Sequence, residues 1–327
     1  MPCFSPLRGW LSAERTALGK RSVVFNPRFA LRDRPVSVPC GQCIGCRLER
    51  SRKWAVRCVY EASLYEDNCF ITLTYDDAHL PRDLSLNVAH FQKFMKRLRK
   101  RFVPEIPSDV VDRDEWLSLN GIRFFHCGEY GENFGRPHYH ACIFNFDFPD
   151  RKLWSVRQGV SIYTSAALAE LWPFGFSTVG DVTFESAAYV ARYVLKKVTG
   201  KNAPDHYDFC DPITGQIFSR SPEYVTMSRR RGIGRGWFDK FHSEVYPSDG
   251  VLVNGHLTKP PRYYDGCFEA DFLESGSSVL SLSNIEKIKL ARKRKAALFA
   301  CDNTDERLKV RQTCVEARVG FLKRTLT

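Results

Sequence analysis

The sequence predicts an α+β fold in which helices pack on an antiparallel sheet, and the order of its segments is the main reason. Short runs rich in aromatic and β-branched residues alternate with longer runs whose apolar residues recur at helical spacing. These runs follow the order strand, helix, strand, strand, helix, strand, helix, which is typical of a sheet with helices packed on one side. The chain has 327 residues, 43% of them hydrophobic, so it can bury a core of ordinary size.

The individual elements follow from local patterns. In 47–65 and 87–102 apolar residues return every three or four positions, which predicts two amphipathic helices. A polar, acidic stretch at 104–120 is predicted to be a surface insertion, and 201–221 is rich in loop residues. The remaining predicted elements are a strand at 70–75, a hairpin across 121–144, a short helix at 165–172, a strand at 175–183 and a helix at 186–198.

Two histidines, His138 and His140, are one residue apart on the second strand of the predicted hairpin. Side chains alternate across a strand, so both imidazoles point to one face, where a single cation can contact both. If Glu129 lies opposite His138 in the hairpin, its side chain is on the same face. A shift of the pairing register by one residue would move Glu129 to the other face. Two imidazoles and a carboxylate suit Mg²⁺ or Mn²⁺. Taken alone, the two histidines also fit a surface strand with polar side chains.

Two tyrosines, Tyr189 and Tyr193, are one turn apart on the last predicted helix, with Lys196 in line beside them. The apolar stripe of this helix consists of Ala187, Val190, Ala191, Val194 and Val198. Both tyrosines fall outside the stripe and are predicted to lie off the core, although aromatics at this spacing are often packing residues. Beside a divalent cation a tyrosine can attack phosphorus, and a lysine can lower the phenol pKa. Two tyrosines therefore permit two successive transesterifications.

These motifs together resemble those of the HUH-type rolling-circle replication initiators. The similarity is greatest to the initiators of gokushovirus-like microviruses, which are single-stranded DNA bacteriophages. The matching segments are 69–77 (CFITLTYDD), 137–144 (PHYHACIF) and 189–197 (YVARYVLKK). The resemblance implies a ferredoxin-like sheet of the HUH endonuclease type.

The resemblance also implies roles for particular residues. They are metal ligation by His138 and His140, nucleophilic attack by Tyr189 and Tyr193, and an accompanying lysine at Lys196 or Lys197. The predicted function is a sequence-specific, metal-dependent DNA nickase with rejoining activity that starts rolling-circle replication of a small circular phage genome. One tyrosine would form a 5′-phosphotyrosine and free a 3′-OH. The alternatives are a plasmid initiator or transposase of the same fold, and a nucleic-acid-binding protein without enzymatic activity.

The charge of the chain favours a nucleic acid as its partner. A formal net charge of +12 suits a polyphosphate, although an anionic membrane surface is the alternative. No apolar run approaches the ~20 residues of a spanning helix, and no signal peptide is recognisable at the N-terminus. We therefore predict no membrane partner and a place in the host bacterial cytoplasm. The implied partners are the single-stranded or supercoiled circular phage origin and a host helicase and polymerase, since the chain lacks a P-loop.

A cluster of cysteines near the N-terminus predicts a structural Zn²⁺ site. Cys40, Cys43 and Cys46 form two overlapping C-x-x-C units with glycines that allow tight turns. Cys3 is the candidate for the fourth ligand and Cys58 is the alternative. Reduced structural cysteines without metal would also fit, because the other cysteines indicate a reducing compartment.

A basic segment follows the predicted catalytic region. Residues 228–236 (SRRRGIGRG) combine glycines, which let the backbone approach phosphates closely, with arginines, which donate hydrogen bonds to them. The alternative is an exposed basic loop without a DNA-binding role. Its predicted DNA-binding residues are Arg229, Arg230, Arg231 and Arg235. The basic C-terminal tail is predicted to be a loosely helical DNA arm or partner-binding helix. We divide the chain into a Cys-rich knuckle and helix (1–64), a nicking and joining domain (65–200) and a basic extension (201–327).

Overall fold

The computed structural model describes residues 3–16, 19, 21–131, 135–157, 159–193, 203–210, 214–246, 248–274 and 279–320. Within them the strands are β1 (Leu7–Ser12), β2 (Val23–Val24), β3 (Ala30–Val38), β4 (Asn68–Thr74), β5 (Arg123–Tyr130), β6 (Pro137–Phe144), β7 (Lys152–Arg157), β8 (Val160–Thr164), β9 (Ser177–Gly180), β10 (Asp208–Cys210), β11 (Ile217–Ser219), β12 (Tyr224–Met227), β13 (Val251–Val253) and β14 (His256–Thr258). The α-helices are α1 (Ile44–Ala62), α2 (Val88–Phe102), α3 (Arg113–Asn120), α4 (Ala166–Leu171), α5 (Phe184–Tyr193), α6 (Ala203–Tyr207), α7 (Arg235–Val245), α8 (Arg262–Glu274), α9 (Val279–Ala297) and α10 (Asp305–Gly320). The chain divides into two compact units, Met1–Arg50 with Val279–Arg324, and Ser51–Ser278.

The first unit combines the N-terminal segment with the C-terminal helices. Its antiparallel sheet has the order β2-β1-β3, and a register shift between Trp10 and Leu11 interrupts the β1–β3 pairing. This sheet is not predicted from the sequence. The tail is helical as predicted, with Ile285 and Ile288 of α9 buried and Leu308 of α10 buried.

The second unit is built on a seven-stranded antiparallel sheet with the order β12-β5-β6-β4-β9-β8-β7. The α+β class is therefore confirmed. Helices pack on both faces of the sheet rather than on one, which corrects the prediction. Because side chains alternate along each strand, Phe70 of β4 belongs to one core cluster and Ile71 to the other.

The two core clusters assign each helix to a face. On one face Phe91, Phe94 and Leu98 of α2 pack with Leu168 of α4. On the opposite face the clustered residues come from α1, α5, the sheet and the turn before α7, and they are Ala55, Cys58, Phe70, Phe125, Cys127, Cys142, Phe144, Ala187, Tyr189, Val190, Ala191 and Ile233. Burying each large apolar side chain contributes about 1.5–3 kcal/mol, so both clusters hold the sheet in register.

Local signals explain the helix boundaries. The Asn87 side chain accepts a hydrogen bond from the Ala89 amide and caps α2, which ends in a basic turn at Arg99, Lys100 and Arg101. Ser165 caps α4 in the same way. The helices predicted at 87–102 and 165–172 are confirmed within a residue or two.

Several elements lie where none was predicted. The stretch predicted as a surface insertion contains α3, which begins after an Asp112 cap. Strand β12 pairs with β5, so the sheet extends beyond residue 200, where the sequence analysis ended the catalytic domain. The division into three domains stays a prediction. The predicted tyrosine helix is described as far as Tyr193, and its last part lies outside the described residues.

A buried ion pair joins three segments of the second unit. The Arg123 guanidinium of β5 donates to Glu61 of α1, and their side chains are 6% and 2% exposed. Arg123 also donates to the carbonyl oxygens of Arg230 and Arg231, at 2.9 and 2.7 Å. Glu61 accepts a hydrogen bond of 2.7 Å from the Gly234 amide. This pair therefore anchors the arginine-rich segment to the sheet.

Candidate active site

The register of the β5–β6 hairpin decides which side chains share a face. Glu129 lies directly opposite His138, as the sequence analysis required, and Cys127 lies opposite His140. On the other side of β6, β4 places Thr72 opposite His140. Glu129, His138 and His140 therefore project from one face of adjacent central strands.

The three predicted ligands meet at one point. Oε1 of Glu129 lies 2.8 Å from Nε2 of His138 and 2.8 Å from Nε2 of His140, and ligand atoms of all three fall within 4.8 Å of one another. Burial alone would raise the pKa of the Glu129 carboxyl, but hydrogen bonds and charge from the two histidines lower it. The carboxylate therefore stays ionised and available to a cation.

The remaining ring nitrogens are held by neighbours that orient the imidazoles. Nδ1 of His140 lies 3.0 Å from Oγ1 of Thr72, and Nδ1 of His138 lies 3.0 Å from the carbonyl oxygen of Arg136. Contacts of this kind fix the ring and leave Nε2 facing the carboxylate. No role for Thr72 is predicted from the sequence, yet the alternation of β4 places it on this face.

The middle residue of the histidine motif, Tyr139, points to the opposite face. Its side chain is fully buried, and its hydroxyl lies 2.8 Å from the Tyr75 hydroxyl. The Asn87 amide donates to the Tyr139 hydroxyl over 2.9 Å. Tyr139 therefore anchors β6 in the core beneath the two histidines.

Tyr189 lies directly beside the ligand cluster. Its hydroxyl donates to Oε1 of Glu129 over 3.5 Å. Its ring meets the His140 ring edge to face, with 5.0 Å between ring centroids, and contacts Phe70 in the same way. The structure thus brings the predicted nucleophile and the predicted ligands together.

The prediction that Tyr189 lies off the core is wrong, because the residue is only 3% exposed. The helix face against the sheet consists of Ala187, Val190 and Ala191, which are all fully buried. These side chains are small, so α5 approaches β5 and β6 closely. The ring of Tyr189 is therefore buried between the helix and the sheet. Its hydroxyl nevertheless contacts the Glu129 carboxylate rather than apolar side chains alone.

Of the other predicted catalytic residues, only the backbone of Tyr193 belongs to the described part of the chain. Tyr193 is the last residue of α5, four positions after Tyr189. Its side chain, and Lys196 and Lys197, lie outside the described residues. The cluster is more accessible at one end, because the His138 side chain is 13% exposed while that of His140 is fully buried.

The four predicted zinc ligands also come together, in the first unit. Ligand atoms of Cys3, Cys40, Cys43 and Cys46 lie within 4.8 Å of one another. Cys3 Sγ is 3.7 Å from Cys40 Sγ and 3.9 Å from Cys43 Sγ. The alternative ligand, Cys58, is instead buried in the core of the second unit.

Main-chain groups surround these thiols. The Phe4 amide donates to Cys43 Sγ over 3.3 Å, and Gly41, at a φ of +76°, makes the tight turn between the first two cysteines of the knuckle. Burial alone would raise the pKa of the Cys43 thiol, but hydrogen bonds from the Phe4 and Cys46 amides and from neighbouring thiols lower it to about 6. This environment favours a thiolate.

The predicted DNA-binding arginines divide into two groups. Arg229, Arg230 and Arg231 are exposed. Arg235 begins α7 and forms ion pairs with Asp239 at 2.6 Å and with Asp271 at 2.5 Å. Those carboxylates hold the Arg235 guanidinium within the protein, so its contacts are those of a structural residue.

The chain matches known proteins over most of its length. The family model for replication-associated protein ORF2/G2P matches residues 68–198, a range that contains the ligand cluster and both tyrosines. The chain is 35% identical over 278 residues to replication-associated protein VP4 of Bdellovibrio phage phiMH2K, covering 84% of this chain and 79% of the relative. It is 34% identical over 258 residues to replication-associated protein ORF2 of Spiroplasma virus 4, covering 76% and 72%.

A third relative is replication-associated protein ORF4 of Chlamydia phage 1, which is 31% identical over 233 residues, or 69% of this chain and 52% of the relative. No solved structure matches the chain. In the part of the chain that the structure describes, no helix has both the length and the apolar character needed to cross a bilayer. On the strength of these relatives, the chain belongs to the family of replication-associated proteins of the microviruses.

Proposed function

We propose that this protein is a sequence-specific single-strand DNA endonuclease and ligase that initiates rolling-circle replication of a small circular phage genome. The observation that carries the proposal is the 3.5 Å contact between the Tyr189 hydroxyl and Glu129, whose carboxylate is also 2.8 Å from both His138 and His140. A nucleophile beside a metal-ligand set is the arrangement that phosphodiester cleavage through a phosphotyrosine requires. Membership of a replication family and the net charge of +12 agree with a DNA substrate.

The ligand set fits a divalent cation such as Mg²⁺ or Mn²⁺. It offers one ionised carboxylate and two imidazoles on a single sheet face, and these three ligands leave coordination positions for substrate oxygens. Held by Glu129, His138 and His140, such a cation would polarise the scissile phosphate and offset its charge. Thr72 and the Arg136 carbonyl keep the imidazoles in place for this task.

The tyrosines supply the covalent chemistry. The Tyr189 hydroxyl oxygen bonds to phosphorus, the bond to the 3′ oxygen breaks, the phenolic proton is lost and the 3′ oxygen gains a proton. The products are a 5′-phosphotyrosine and a 3′-OH that primes synthesis. After one round Tyr193 cuts the regenerated junction in the same way, and the free 3′-OH attacks the first phosphotyrosine and reseals the circle.

Other residues and partners complete the proposal. Lys196 or Lys197 would lower the phenol pKa or neutralise phosphate charge, and Arg229, Arg230 and Arg231 would bind the DNA backbone. The energy of the phosphodiester is kept in the protein–DNA bond, so joining needs no nucleotide cofactor. Origin unwinding and synthesis would come from a host helicase and polymerase in the host bacterial cytoplasm.

The test is formation of a covalent adduct between the purified full-length chain and a labelled oligonucleotide that bears the phage origin. We expect an adduct with Mn²⁺ and none with EDTA. His138→Gln and His140→Gln should each slow adduct formation by about 100-fold or more, since each removes one of three ligands. His256→Gln, an exposed histidine on β14, is the matched control and should react like the wild type. A nucleic-acid-binding protein without enzymatic activity would bind the oligonucleotide but form no adduct under any condition.

We further propose that the four-cysteine cluster holds a structural Zn²⁺, because four thiol sulfurs at close range match its preferred ligands. Cys43→Ser is expected to abolish binding of one zinc ion per chain and to lower the melting temperature, measured by elemental analysis and calorimetry. Cys314→Ser, at an exposed position in α10, should keep the metal. A wild-type chain expressed with zinc in the medium and purified without chelators, yet containing no zinc, would contradict the proposal.

A further inference from the structure

The sheet face that carries the ligand cluster continues past it toward β7. Thr74 lies opposite His138 in the β4–β6 pairing, and the Thr74 amide donates to the Phe176 carbonyl over 2.8 Å, just before β9 begins. Since paired residues share a face, Glu129, His138, Thr74 and Phe176 form one row across four neighbouring segments. Phe176 is 51% exposed and lies about 10 Å from the His138 backbone, two strand spacings away.

A β-bulge adds a second aromatic side chain to this row. The pairing of β7 with β8 shifts register between Leu153 and Ser155, so Trp154 is the extra residue. Its ring lies 5.2 Å from the ring of Phe176 at an interplanar angle of 61°, and 49% of the residue is exposed. Bulges re-aim side chains, and this one turns a tryptophan of the edge strand onto the face that bears the candidate active site.

The surroundings of the two rings are basic. The Arg157 guanidinium carbon lies 5.7 Å from the centre of the Trp154 ring, and Lys152, at the start of β7, is exposed. Exposed aromatic rings beside cations are the combination that binds single-stranded nucleic acid, because bases stack on the rings while the cations meet phosphates.

We propose that Trp154 and Phe176 form a stacking platform for unpaired bases of the DNA strand whose phosphate is cut beside His138. This inference rests on the proposed function and adds the place where the single strand is held. The platform binds bases through their ring faces, so it contributes affinity for single strands and little for duplex DNA. The platform is separate from the arginine-rich segment, whose contacts with phosphates would bind single-stranded and duplex DNA alike.

The test measures affinity by fluorescence anisotropy, using the full-length chain, a labelled single-stranded oligonucleotide and EDTA to prevent cutting. Trp154→Ala and Phe176→Ala should each weaken binding about tenfold, while Trp154→Phe should keep most of it. A duplex of the same sequence should bind all variants within about twofold of the wild type. The matched control is Leu153→Ala, which alters an exposed residue on the opposite face of the same strand and should have no effect.

Three results would overturn the platform. They are unchanged single-strand affinity in both alanine variants, equal losses for single strand and duplex, and a change of oligomeric state in Trp154→Ala, which would assign the edge strand to a second copy of the chain. Thermal unfolding of each variant checks that the fold is kept. Adduct formation by the wild type with Mn²⁺ is measured separately. An adduct with unchanged variant affinities refutes the platform alone, whereas selective affinity losses without any adduct refute only the proposed function.

Discussion

Replacing both Tyr189 and Tyr193 by phenylalanine is expected to abolish the covalent protein–DNA adduct, which is the largest effect that the site implies. The change removes only the hydroxyl oxygens that would bond to phosphorus. At Tyr189 the phenylalanine ring can keep the contacts with Phe70 and His140, so the fold should be retained. Adduct on a labelled origin oligonucleotide with Mn²⁺, separated on a denaturing gel, should fall below detection.

The matched control for this loss is Tyr163→Phe, which removes a hydroxyl from a partly buried tyrosine of β8 and should leave adduct formation unchanged. The two single variants report on the order of events, because the tyrosine that attacks first is needed for the first adduct. The Tyr189 hydroxyl contacts Glu129, so we expect the Tyr189→Phe variant to lose the first adduct. An adduct that persists in the double variant would show that another residue is the nucleophile.

Removing Glu61 is expected to produce the largest loss of stability. Glu61→Ala leaves the buried Arg123 guanidinium without its carboxylate, and breaking a buried pair in this way costs about 3–5 kcal/mol. The free energy of unfolding, measured in urea, should fall by that amount. DNA affinity should fall as well, since Arg123 also holds the carbonyl oxygens of Arg230 and Arg231.

The comparison for Glu61 is an exposed ion pair. Glu170 pairs with Arg101 at the surface, where their side chains are 65% and 44% exposed. Glu170→Ala should therefore change the free energy of unfolding by no more than about 1 kcal/mol. Similar effects at the two positions would mean that the Glu61–Arg123 pair does not anchor the structure.

The ligand cluster was predictable because it depends on local geometry. Alternation along a single strand put His138 and His140 on one face, and turn residues between the strands predicted the hairpin that brought Glu129 opposite His138. The family membership confirms the resemblance that the three motifs indicated. Cys3 joined the other three cysteines as predicted, although nothing in the local spacing requires a residue so far away in the chain.

The burial of Tyr189 was not predictable from helical periodicity alone. A helical wheel separates apolar from polar faces, but it does not say how closely the helix approaches the sheet. Here Ala187 and Ala191 are small enough to bring α5 close to the sheet, and the neighbouring tyrosine is buried with them. The same limit applies to Trp154, because a bulge breaks the alternation by which the sequence assigns a side chain to a face.

Strand pairings between segments that are distant in the chain could not be predicted from the sequence either. Strand β12 is four residues long and joins the sheet beside β5, about a hundred positions earlier, so no local pattern identifies its partner. All nine residues of β3 are exposed or half-buried, which leaves little apolar alternation to reveal a strand. Helix α3 depends on its Asp112 cap rather than on an apolar face.

The proposed chemistry requires that a tyrosine hydroxyl beside Glu129, His138 and His140 becomes bonded to DNA. Digesting the covalent adduct with protease and nuclease and mapping the modified peptide by mass spectrometry tests it most directly. We expect the remaining nucleotide on Tyr189 or Tyr193. A nucleotide attached to any other residue would contradict the account.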